Sequence, residues 1–179
     1  MKNFPVKVYG KEYWISRSVA TVCMVFKTQD KNKLYLMVEK RGKGTPDFQG
    51  CWCFPCGYLE YDVTLEENMK KEIFEETGMV IDENELELIS INSSPKENHQ
   101  NVSVTYVYYV NNENFDLAKA YGGEMDEVDE VQWLEVGNFV NGELQINYDK
   151  INNISWAFNH KEKLLNYLNQ EYIMSITPP

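Results

Sequence analysis

The sequence predicts an α+β fold, and three observations predict it. Runs of apolar and β-branched residues recur before residue 60 and again after residue 100. One strongly signalled helix, residues 65–77, stands between them, and an amphipathic stretch at about 155–170 lies near the end of the chain. With 179 residues and 43% hydrophobic composition, the chain can bury one sizeable core and is short for two, so a single domain over 1–179 is expected.

Taken in order, residues 5–15 (PVKVYGKEYWI) alternate loosely about a Gly-Lys pair and predict a small hairpin within 1–16. The run SRSVATVCMVFKT reads as a strand buried on both faces, with Arg17 at its polar entrance. After the turn QDKNK, a second strand, LYLMVEKR, delivers Lys40 and Arg41 to the loop GKGTPDFQG. Its glycines and proline exclude helix and regular central strand, and it reads as a mobile flap bearing an exposed Phe48. CWCFPCG reads as one short strand. Beyond the central helix, ELELISI is a strand, SSPKENHQN a loop and VSVTYVYYV a strand. In that last strand Val102, Val104, Tyr106, Tyr108 and Val110 share one face, with Ser103, Thr105, Val107 and Tyr109 on the other. The acidic loop LAKAYGGEMDEVDE then enters the strand EVQWLEV. In the final helix, Ala157, Leu164, Leu165 and Leu168 make the apolar side.

A formal net charge of -11 repels nucleic acid and anionic membranes, so neither is expected as a partner. The start MKNFPVKVYG shows no leader-like apolar stretch and no run reaches bilayer length, which predicts a cytoplasmic location. Of the four cysteines, Cys51, Cys53 and Cys56 lie within CWCFPC. That spacing admits a soft-metal reading, but Cys23 sits inside the apolar VATVCMVF, which favours free thiols serving as small hydrophobes. Lys40, Arg41 and Lys43 are either phosphate neighbours or ordinary loop charges.

The central helix is specified locally. Thr64 and Glu67 form a capping box, and Gly78 supplies a left-handed stop. Leu65, Met69 and Ile73 form its apolar stripe, and Glu72, Glu75 and Glu76 run along the edge of that stripe. Like charges at this spacing repel, and Lys71, which serves Glu75, is also within reach of Glu67. Two readings are open on the residues alone: a solvated acidic face, or a site for a hard divalent cation such as Mg²⁺ or Mn²⁺.

The stretch Gly57 to Met79 resembles the Nudix box. Gly57, Glu72, Ile73, Glu75, Glu76, Gly78 and Met79 match its fixed positions, while Val63 and Lys71 stand where the family has Glu and Arg. The strand order on both sides is also similar to the Nudix α/β/α sandwich with a mixed central sheet. The resemblance implies metal-dependent hydrolysis of a nucleoside diphosphate linked to another moiety. Carried over by position, Glu72 and Glu76 are the principal metal ligands, Glu75 shares the metals or polarises water, and the Gly57 carbonyl is a further ligand. In many members an acid from a loop before a late strand joins as ligand or base, and distance to Trp133 selects Glu127, ahead of Glu124 and Asp126, with His99 as a substitute. Arg17 and Arg41 are the candidate cationic substrate contacts, and Phe48, Trp52 and Tyr109 are either stacking rings for a base or ordinary core and rim packing. Pro95 occupies a position similar to a proline of ADP-ribose-cleaving members.

Loss of the family's Glu–Arg pair leaves Glu60, Asp62 or Glu66 to take the missing role, and it motivates an alternative: a Nudix-fold nucleotide-binding or sensor module with weak catalysis. Dimers are frequent in the family, so a homodimer is among the expected states.

Overall fold

The structure is a computed structural model and describes residues 3–29, 32–110 and 126–170. It opens with a ribbon, β1 (Phe4–Val8) and β2 (Lys11–Ile15), paired antiparallel about Tyr9 and Gly10, whose φ of 49° and 81° give the two-residue turn its twist. This ribbon forms its own two-stranded sheet. The main sheet comprises β3 (Ser18–Gln29), β4 (Lys33–Arg41), β5 (Trp52–Cys53), β6 (Cys56–Tyr58), β7 (Glu87–Asn92), β8 (Asn101–Tyr109), β9 (Val128–Val140) and β10 (Glu143–Ile146). Helix α1 (Leu65–Thr77) follows β6, and α2 (Tyr148–Asn152) and α3 (His160–Leu168) follow β10. The strands run in the order β10-β9-β4-β3-β8-β7, and β3 lies parallel to β8 while the other pairings are antiparallel, so the sheet is mixed as expected.

Strand alternation sorts the core into two layers. Cys23, Val25, Met37, Val104, Tyr106 and Tyr108 face α1, which buries Met69 and Ile73 against them. Val22, Met24, Phe26, Leu36, Val38 and Val107 face the other way, against Ile151 of α2 and Leu164 and Leu168 of α3. The result is helix, sheet, helix. Among the described residues, no helix is long and apolar enough to cross a membrane.

Strands β3 and β4 are paired at one end only. Phe26–Gln29 meets Leu36–Lys33, and beyond that the two part: Ala20–Val22 of β3 pairs with β6, while Glu39 and Lys40 of β4 pair with β5. CWCFPCG is therefore not one strand but two, each serving a different neighbour, with Phe54 and Pro55 crossing between them. Proline lacks the N–H a ladder needs, and the Pro55 carbonyl accepts from Cys23 N at 3.0 Å.

Three further elements differ from their expectation. The final helix starts at His160 because Ser155 to Ala157 are already used: Trp52 N donates to Ser155 O and Ala157 N to Trp52 O, both at 2.8 Å, and Phe158 turns the chain at φ 54°. The last strand was expected to be EVQWLEV, yet β9 continues into a hairpin with β10 across Asn141-Gly142, both at positive φ, a turn signal the sequence already carried. The loop 42–50 is irregular as expected, but it is pinned: Gly42 N and Gly44 N donate to the carbonyls of Glu127 and Asp126 at 2.6 and 2.7 Å. A Cβ on Gly42 would overlap the Asp126 carbonyl oxygen.

Helix α1 runs over the residues expected. Thr64 accepts from Glu67 N while the Glu67 side chain accepts from Thr64 N, and Gly78 closes the helix at φ 77°. Thr64→Ala removes half of this box, and we expect a loss of about 1 kcal/mol in urea denaturation; an unchanged midpoint would show the cap to be idle.

His160 braces the parted strands from the far layer. Its Nδ1 accepts from Phe54 N at 3.0 Å and its ring stacks on Phe54, with centroids 4.5 Å apart. Burial first, then the charges of Lys163 and Arg41, hold its pKa well below the usual histidine value, so the ring stays neutral in the fold. Below about pH 6.5 the unfolded chain takes up a proton that the folded chain refuses, and stability falls as pH falls. Replacing it with asparagine, whose carbonyl can also accept from Phe54 N, should remove that slope. Denaturation of wild type and His160→Asn at pH 7.5 and 5.5 checks this, and the stability difference should shift in the variant's favour at the lower pH.

Candidate active site

At the gap between β3 and β4, α1 presents its acidic edge. Glu72 and Glu76, one helical turn apart, are 8% and 6% exposed, although each carries a carboxylate. Glu76 Oε2 accepts from Cys56 N at 2.9 Å, tying the helix to the start of β6. Glu72 lies directly over Gly57: a Cβ there would overlap its carboxylate, so only glycine lets the strand pass this close. Glu75 points differently. It pairs with Lys71 at 2.9 Å, and Lys71 reaches Glu60 at the same distance, which settles which acid meets the lysine. Glu66 instead accepts from Tyr106 Oη at 2.7 Å, and Asp62 is exposed.

A buried tie reinforces that exposed pair. Asn68, fully buried on α1, donates to Thr21 Oγ1 at 3.0 Å and accepts from Glu60 N at 3.1 Å, joining helix, β3 and the preceding loop. Nothing in the sequence marked it beyond a polar residue on the apolar side of the helix.

Glu39 was also missed. It lies on β4, 2% exposed, where VEKR reads as the charged end of a strand. Cys53 Sγ donates to its Oε1 at 3.2 Å, so this thiol, expected to act as a small hydrophobe, also works as a donor. Among the described residues, Oε2 of Glu39 is buried with no donor. Burial drives the carboxyls of Glu39 and Glu76 up. The charge of Glu39 adds to the rise at Glu76, and that of Glu72 acts on both, while the Cys53 thiol lowers Glu39 somewhat.

The remaining candidates are spread more widely. Glu127 and Asp126 are exposed on the turn entering β9, and Glu124 lies outside the described residues. Arg41 Nε donates to the Asp47 carbonyl at 3.0 Å and its guanidinium pairs with the Asp47 carboxylate at 3.0 Å, packing over Phe158 at 4.9 Å. Phe48 is exposed at φ 51° with its ring 4.8 Å from that of Phe158. Trp52 is partly buried among the residues before α3, and His99 and Pro95 are exposed in the β7–β8 loop. Arg17 is committed to the same loop, donating to the carbonyls of Ser93, Asn98 and Asn101. Tyr109 is not brought to the carboxylates: it faces the α3 layer, stacks on Phe26 and shares a hydrogen bond of 2.7 Å with Tyr167. Also in that layer, the Lys163 ammonium donates to Ser103 Oγ and Thr105 Oγ1 at 2.8 and 3.0 Å, its pKa lowered by burial.

The donor set fits a hard divalent cation. Glu72, Glu76 and the backbone at Gly57 gather oxygen atoms in a buried setting where like charges repel, and Mg²⁺ and Mn²⁺ prefer such oxygens. Among the described residues, no three His, Cys, Asp or Glu side chains already converge on one point.

Comparison with known proteins places the chain in a family. The NUDIX domain family model matches residues 16–153. An ADP-ribose pyrophosphatase of Methanocaldococcus jannaschii is 26% identical over 170 residues, covering 84% of this chain and 88% of the relative. A MutT/nudix family protein from Enterococcus faecalis superposes with TM-score 0.65 at 19% identity, over 86% of this chain; this chain spans 61% of its length. The NUDIX domain of Shewanella oneidensis NrtR, complexed with ADP ribose, superposes with TM-score 0.63 at 17% identity, over 87% of this chain and 90% of that one. With the family model covering well over half its length, the chain belongs to the NUDIX family, and its enzyme class is that of the Nudix hydrolases.

Proposed function

We propose that this chain hydrolyses the diphosphate of a nucleoside diphosphate linked to a second moiety, using Mg²⁺ or Mn²⁺ held by Glu72, Glu76 and the Gly57 carbonyl. The observation that carries this reading is the burial of Glu72 and Glu76 side by side over a glycine that admits no side chain. ADP-ribose is the first substrate to test. The Methanocaldococcus relative is an ADP-ribose pyrophosphatase, and the Shewanella domain was crystallised with ADP ribose. A third neighbour, a bifunctional NMN adenylyltransferase/ADP ribose pyrophosphatase from Francisella tularensis, was solved with AMP and a manganese ion, with TM-score 0.63 at 16% identity.

When bound, the cation would neutralise diphosphate charge and make water a better nucleophile at phosphorus. The chain's own part is positioning. Glu76 is fixed by Cys56 N before substrate arrives, and Gly57, lacking a side chain, leaves the space that the Glu72 carboxylate occupies. Glu75, paired with Lys71, stands at the rim of this group, where it can orient water. Glu127, exposed beside the pinned loop 42–50, is assigned as the base: the water oxygen bonds to phosphorus, its proton passes to Glu127, and the bond from phosphorus to the bridging oxygen breaks. In the same loop region, Arg41 and the exposed Phe48 ring are assigned to the phosphates and the base.

Mass spectrometry of a panel of nucleoside triphosphates, nucleotide sugars and dinucleotides, with and without metal, should show turnover of a diphosphate-linked member only with metal. Binding without turnover would instead select the sensor reading. Glu76→Gln should cut the rate by about 100-fold or more, since even outer partners of a metal site cost 10–100-fold. Gly57→Ala should do comparable damage with circular dichroism unchanged, because a side chain there pushes Glu72 aside and small misplacements cost about 100-fold.

A further inference from the structure

We infer that Glu39 is an additional carboxylate ligand of the cation site, set in place by the thiol of Cys53; this rests on the reading of Glu72 and Glu76 as metal ligands. It adds a residue from outside the matched box, on a strand singled out in the sequence only for Lys40 and Arg41.

The inference starts from a cost. A glutamate inside a sheet, 2% exposed, gives up its hydration and needs something in return. What it has is meagre. One oxygen receives a thiol hydrogen at 3.2 Å, a weak donor, and the other receives nothing among the described residues. The charge of Arg41 on the same strand also favours the carboxylate, but that guanidinium is paired with Asp47. An apolar residue of the same size would suit a position that follows the fully buried Met37 and Val38 better.

The direction of the side chain supplies the missing term. Glu39 lies within hydrogen-bond reach of the Glu76 carboxylate and close enough to Glu72 to feel its charge. The Glu39 carboxylate is therefore placed beside the acidic group, although among the described residues the three carboxylates do not already converge on one point. Hard divalent cations take six or more oxygens, and two helix carboxylates with one backbone carbonyl leave positions to fill. A third buried carboxylate fits that need.

Cys53 can be placed as well. It opposes Glu39 across the β4–β5 pair, so its side chain shares that face. Buried and protonated, it donates to Oε1 and so restrains the carboxylate. In this arrangement the thiol is a positioning group, not a ligand.

The test is Mn²⁺ binding by electron paramagnetic resonance, on the full chain without substrate, for wild type, Glu39→Gln, Glu39→Asp and Glu76→Gln. Glutamine keeps the size and can still accept from Cys53, so a purely structural role would leave Mn²⁺ affinity as in wild type. We expect Glu39→Gln to weaken it by about 10–100-fold, with a melting temperature in the absence of metal no lower than wild type. Glu39→Asp, which keeps the charge but withdraws it by one methylene, should weaken binding in the same direction and serves if the glutamine variant does not fold. Affinity unchanged in both Glu39 variants while Glu76→Gln loses binding overturns the inference and leaves the family site standing. No Mn²⁺ binding in wild type, or none lost in Glu76→Gln, overturns both.

Discussion

Strands β3 and β4 are neighbours that stay paired for only four residues, and the rest of the molecule is arranged around their separation. Two strands that part inside a sheet leave open donors and acceptors, which must be satisfied. The chain does this with its own next segment: β5 closes one edge and β6 the other, and Phe54-Pro55 spans the gap. That crossing fixes Gly57 under Glu72 and Cys56 N against Glu76. From the opposite layer, His160 and Trp156 hold Phe54 and the preceding strand. The acidic edge of α1 therefore meets backbone held on both sides, a rigid support for groups whose positions matter.

The departures at Val63 and Lys71 look different in this light. Lys71 rebuilds a link between loop and helix through Glu60, but both of those side chains are exposed, and such pairs are worth about 1 kcal/mol or less. The stronger hold comes from Asn68 and from Met69 and Ile73, which are fully buried. Helix position is thus set by packing and one amide more than by charge. Replacing the family's arginine with lysine changes the rim of the acidic group while Glu72 and Glu76 keep their seats.

Much of this was legible because its causes are local. The helix announces itself through Thr64, Glu67 and Gly78, whose hydrogen bonds involve neighbours in sequence, and the two-fold alternation of β8 sorted its side chains correctly between layers. Glu39 was not legible, since its burial depends on β5, across a loop, and on α1, farther along the chain, and a glutamate before Lys-Arg looks like the wet end of a strand. The same holds for CWCFPCG, where pairing with two different strands leaves no trace in composition. Tyr109 is a related case: its strand position was read correctly, but the partner that meets its hydroxyl, Tyr167, comes from a helix 58 residues later.

That helix has a practical consequence. The family match ends at residue 153, yet α3 begins at His160 and fills the core with Leu164 and Leu168. A fragment trimmed to the matched boundary would leave Val22, Met24 and Val107 facing water and would strip Phe54 of its imidazole cover. Such a fragment would be prone to aggregate through the uncovered sheet face. The limits of recognisable kinship and the limits of a folding unit are, in this protein, separate boundaries, and expression vectors should follow the second.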